Sequence, residues 1–83
     1  MNDNLLTSAR LLADRLERLS ADSIWAHRAS GVRGSLVRLI SAIDQGNETD
    51  VNITRLDDLL EQGFDILEKA AKEYYGIKVI GGE

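Results

Sequence analysis

The sequence predicts an all-α fold: a three-helix up-down-up bundle that assembles into a dimer and carries a short extended C-terminal tail. Three observations lead there. Apolar residues recur at spacings of three and four in three separate stretches, which places them on one face of a helix. Proline, the residue that interrupts long helices, is absent from all 83 positions. A chain this short buries only about 60% of its unfolded surface, so its core is marginal and self-association is a common remedy. The whole of 1–83 reads as one helical domain, with no internal repeat and no low-complexity segment.

The first helix is expected over about residues 4–19, capped by Asn2, Asp3 or Asn4. Leu5, Ala9, Leu12, Leu16 and Leu19 form its seam, and Leu6 and Ala13 widen the stripe. Its outer face alternates charge through Arg10, Asp14, Arg15, Glu17 and Arg18, as a solvated face does. After Leu19 the rhythm breaks. Ser20, Ala21, Asp22 and Ser23 include several good N-cap residues, so a tight turn there leads into a second helix over about 22–45.

That second helix is the unusual one. Trp25, Ala29, Val32, Leu36, Leu39, Ile40 and Ile43 share one side and suit a buried seam. The other side holds Ser23, His27, Ser30, Gly31, Gly34, Arg38 and Ser41, flanked by Arg28 and Arg33. A solvated face is normally filled with strong helix formers, and each interior glycine costs about 1 kcal/mol relative to alanine. Three explanations compete. Gly31 and Gly34 permit the close approach of another helix, they bend or break this one, or His27, Arg28, Arg33 and Arg38 line a groove for an anion or an acidic peptide.

Gly46 is expected as a left-handed C-cap, followed by a loop over 46–53. Thr54-Arg-Leu-Asp57 resembles a capping box and opens a third helix over about 54–75. Leu56, Leu60, Gly63, Leu67, Ala70 and Tyr74 make its seam, with Leu59, Phe64, Ile66 and Ala71 beside it. This apolar arc is wider than a two-partner seam needs, and Gly63 suggests a close approach to the glycines of the second helix. Asp58, Glu61, Asp65 and Glu68 form an acidic stripe. Gly76 is expected to end the helix, leaving the tail over 76–83.

Composition narrows the function. There is no cysteine, so neither disulfide nor thiolate chemistry, and one histidine makes a transition-metal site improbable. Asp58, Glu61 and Asp65 share a face, but the Glu-x-x-His pairs of di-metal bundles do not occur. No metal ligand set and no cofactor are expected. His27 with Ser23, Ser30 or Asp22 has the residue types of a nucleophilic set, yet an exposed helix offers no oxyanion hole, so no catalytic residue is assigned. Gly31-x-x-Gly34 lies within a helix and is no phosphate loop. A net charge of −4 argues against general nucleic-acid or anionic-membrane binding, and a loop over 46–53 is too long for a helix-turn-helix. With no membrane-length apolar run and no basic start before an apolar core, a cytoplasmic location is expected.

Interaction is what remains. The expected function is a non-catalytic protein–protein interaction module. Its second and third helices mediate self-association or the binding of another helical protein. The face concerned carries His27, Arg28, Ser30, Gly31, Arg33, Gly34 and Arg38, with the acidic stripe as its complement. The alternative is a small-ligand or anion-binding domain using the His/Arg face. A regulatory nucleic-acid binder is the third reading.

Overall fold

The computed structural model describes residues 3–82, with side chains for 4–73. Among them lie three helices, α1 (Asp3–Glu17), α2 (Ala26–Asp44) and α3 (Asp50–Gly82), and the fold is an all-α bundle. Each helix packs on both others. The core is the three seams brought together: Ala9, Leu12, Ala13 and Leu16 from α1, Ala29, Val32, Leu36, Leu39, Ile40 and Ile43 from α2, and Leu56, Leu59, Leu60, Ile66 and Ala70 from α3. Leu12, Leu36, Leu56 and Ile66 are its largest fully buried side chains, and among the described residues no polar or charged residue is buried with them. Burying such side chains is the main source of stability, at about 1.5–3 kcal/mol each.

The helix ends depart from expectation. α1 closes at Glu17, two residues early, in a tightened last turn where the Arg18 amide donates to the Asp14 and Arg15 carbonyls at 3.3 and 3.2 Å. α2 does not begin at Asp22. Residues 18–25 are a turn, and the Ser20 and Ser23 hydroxyls accept from the Asp22 and Trp25 amides at 3.2 and 3.1 Å. These local bonds compete with helix and hold the chain back until Ala26. Trp25 becomes the N-cap residue without a side-chain capping bond. Its ring still packs on the core, with the Lys69 ammonium 5.3 Å from the ring centroid.

The far end of α2 matches its prediction. Gly46 has φ +98°, its amide donates to the Ile43 carbonyl at 3.0 Å, and the Asn47 amide donates to the Ala42 carbonyl at 3.0 Å. This pair of bonds is a Schellman closure. The next helix then starts early. Thr49, rather than Thr54, caps α3: its hydroxyl accepts from the Asn52 amide at 3.2 Å and its carbonyl from the Ile53 amide at 2.9 Å. The Asn52 side chain donates back to the Asn47 carbonyl at 2.7 Å. The connection therefore spans only 45–49. Loop length no longer argues against a helix-turn-helix, and the charge argument stands alone.

α3 also passes Gly76 and continues to Gly82, where an extended tail was expected over 76–83. A glycine costs a helix only about 1 kcal/mol, and without a proline nothing removes the backbone hydrogen bond that lets the helix continue. Asn2 as a cap, the seam position of Tyr74 and the end of the tail at Glu83 lie outside the described residues or side chains.

Gly63 marks a close approach, as expected, but to a different partner. A Cβ built on Gly63 would stand 2.4 Å from Leu12 Cδ2 and 3.0 Å from Leu12 Cγ, so the neighbour is α1 and not the glycines of α2.

Candidate functional site

The small-residue face of α2 is built on one uninterrupted helix, which removes the idea of a break at Gly31–Gly34. Its inner side is buried along its whole length and fixes which residues point outward. His27, Arg28, Ser30, Gly31, Arg38 and Ser41 are exposed, and Gly34 is half-buried. A Cβ added at Gly31 would meet nothing within 4 Å, and one at Gly34 only the Arg38 guanidinium at 3.5 Å. Among the described residues, no other helix uses the space that the two glycines open.

The expected cationic residues do not converge. Arg33 turns toward α1, where its guanidinium donates to Glu17 Oε2 at 3.2 Å. Its Nε is buried and makes no hydrogen bond. Arg38 lies in a cleft toward α3 with Ser35, Leu39, Ala42, Arg55 and Leu59, and donates to Ser35 Oγ at 3.3 Å. Arg28 is exposed and forms no ion pair among the described residues. One Arg thus leaves the set for an internal ion pair, and two remain near the glycines.

The acidic stripe is exposed throughout. Asp65 pairs with Lys69 at 2.9 Å and Glu68 with Lys72 at 3.1 Å, both one turn along α3. Such pairs contribute only a few tenths of a kcal/mol. Among the described residues no three His, Asp or Glu side chains are grouped as a metal site would require. No helix there is long and apolar enough to cross a membrane.

Two features escaped single-helix reading. The first is a shallow groove of about 480 Å³ between α1 and α2, floored by Ala13, Val37 and Ile40 and flanked by the Arg10–Asp44 and Arg33–Glu17 pairs. Its residues come from opposite flanks of two helices, so no periodicity in either one announces it. The second is Glu73. Its carboxylate accepts from Ser23 Oγ at 2.9 Å and from the Ile24 amide at 3.3 Å. It supplies, from α3, the negative charge that the first turn of α2 lacks.

Comparison with known protein families, with curated proteins and with solved structures finds no match to this chain.

Proposed function

We propose that this chain is a non-catalytic protein–protein interaction module, in which the outer face of α2 receives a helix from a second copy or from another helical protein. The supporting observation is the open space at Gly31. A glycine inside a helix costs about 1 kcal/mol, and here that cost gains no packing among the described residues. An incoming helix can lie close against Gly31 and Gly34, with Ser30 and His27 as hydrogen-bonding groups and Arg28 and Arg38 as charges at the margin. An acidic stripe such as that of α3 is a suitable electrostatic complement and would set register more than affinity.

The same reading takes the bundle as up-down-up. Arg10, midway along α1, meets Asp44 at the end of α2 at 2.6 Å, Glu17 at the end of α1 meets Arg33 nearer the start of α2 at 3.2 Å, and Ser23, before α2, meets Glu73 late in α3. A short bismaleimide should therefore link Arg10→Cys to Asp44→Cys within one chain. Failure of that link would overturn the topology.

Light scattering over a concentration series tests the interface. Gly31→Leu and Gly34→Leu should retain the helical signal and lose assembly, whereas Arg28→Ala and Arg38→Ala should change it little. Equal masses for wild type and the Gly→Leu variants would sink the α2 interface as a site of self-association. Binding of inorganic phosphate that is lost in Arg28→Ala or Arg38→Ala would favour the anion-binding alternative instead.

A further inference from the structure

Leu11 and Phe64 are large apolar side chains left 52% and 48% exposed. Each is the sequence neighbour of a residue in the close contact between α1 and α3 where Leu12 fills the space beside Gly63. On α1, the flank toward α2 is set by Arg10, Ala13 and Glu17, and Leu11 lies on the other flank. On α3, the flank toward α2 is set by Arg55, Leu59 and Glu73, and Phe64 lies on the other flank. About 100° per residue therefore sets both on the outer surface of the α1–α3 pair, away from α2. Phe64 is also the uncovered margin of the wide apolar arc of α3.

The charges around this patch are divided by helix. Beside Leu11, α1 presents Arg15, which has no ion-pair partner among the described residues, and Arg18, paired only one turn back with Asp14 at 3.2 Å. Beside Phe64, α3 presents Asp57 and Glu61, also without ion pairs there, and Glu68. We infer that this face binds a second copy of the chain about a two-fold axis running along the helices. That operation lays α1 of each copy over α3 of the other. Leu11 then meets the other copy's Phe64 twice, once on each side of the axis, and Arg15 faces the acids around Phe64. An axis across the helices would instead set Arg over Arg and acid over acid.

This surface is distinct from the α2 face. It depends on the reading above only for the parallel direction of α1 and α3, which requires both the 10–44 link and a Ser23→Cys to Glu73→Cys link to form within one chain.

The chain has no cysteine, so thiols can be introduced one at a time. A mixture of Leu11→Cys and Phe64→Cys chains should form a disulfide-linked dimer on mild oxidation, well ahead of either variant alone. Leu11→Asp and Phe64→Asp should each weaken the light-scattering dimer about tenfold or more with helicity unchanged. Arg15→Glu should weaken it, and adding Glu68→Arg should restore it. A monomer at every concentration, or a dimer indifferent to both Asp variants, overturns the inference. If Gly31→Leu dissolves the dimer while the Asp variants leave it intact, the α2 interface stands and this one falls. The reverse result establishes this interface and leaves α2 free for another protein.

Discussion

Gly63 and Gly31 both occupy helix interiors, and both stand out in the sequence as small residues where a helix former is expected. Their surroundings are opposite. Gly63 lies in the core against Leu12, whose side chain occupies the space a methyl group would need, and Gly31 faces open space. At one site the missing Cβ is already used to bring two helices together, and at the other it is not. A glycine in a helical pattern therefore announces room beside the backbone, and only the neighbouring element says whether this chain fills it.

The sharpest test makes the two positions diverge. Gly63→Leu should cost about 3 kcal/mol, because the space it needs is held by the fully buried Leu12 side chain. For a domain of this size that is a fall in melting temperature of roughly 12–24 °C. Gly63→Ala gains about 1 kcal/mol in helix propensity but meets Leu12 at a distance real Cβ atoms do not show, so a net loss of about 1–2 kcal/mol is expected. The same change at Gly31 should raise stability by about 1 kcal/mol, since only propensity changes. Chemical denaturation of the two alanine variants, at concentrations too low for assembly, measures both signs. Equal signs would mean that the contrast between the sites is not energetic.

What could be read beforehand divides along a similar line. The seams were legible because helical periodicity is local: the predicted inner faces of α1 and α2 are the buried ones, and Gly46 is a C-cap by the bonds its own segment makes. The helix starts were not. Residues 20–23 offer several equivalent caps, and the chain there is held partly by Glu73, fifty positions away. Thr49 and Thr54 both begin a Thr-x-x-polar pattern. Thr49 prevails because the Schellman turn at Gly46 already delivers the chain to it, and the earlier start adds hydrogen-bonded turns to α3. The α2 face was legible as an oddity, but the diversion of Arg33 toward Glu17 was not, because that depends on which helix lies on that flank. The Leu11–Phe64 patch required the pairing of α1 with α3 before its two halves could be seen as one surface.

Glu73 extends the comparison to the ends of α2, which is closed where its middle is open. Glu73→Ala removes the acceptor for Ser23 Oγ and the Ile24 amide and the charge near a helix start that has no acid of its own, so a loss of about 1 kcal/mol is expected. Amide exchange at the first turn of α2 should accelerate more than exchange at its centre. A uniform change along the helix would mean that Glu73 acts on the bundle as a whole.

The smallest effect belongs to the two ion pairs flanking the α1–α2 groove. Arg10 and Asp44 have side chains 52% and 48% exposed, so water and salt screen the attraction. A double-mutant cycle with Arg10→Ala and Asp44→Ala should give a coupling below about 0.5 kcal/mol that disappears near 1 M salt. Arg33→Ala should cost more than this coupling and depend less on salt. Arg33 lines the same groove as Ala13 and Val37 and its Nε is already out of water, so the loss is expected to be largely one of packing. Arg33→Met, which keeps the stem and discards the charge and the unpaired Nε, should recover most of what Arg33→Ala loses. A failure of Met to recover it would show that the bond to Glu17, and not the covered stem, is what Arg33 contributes to this seam.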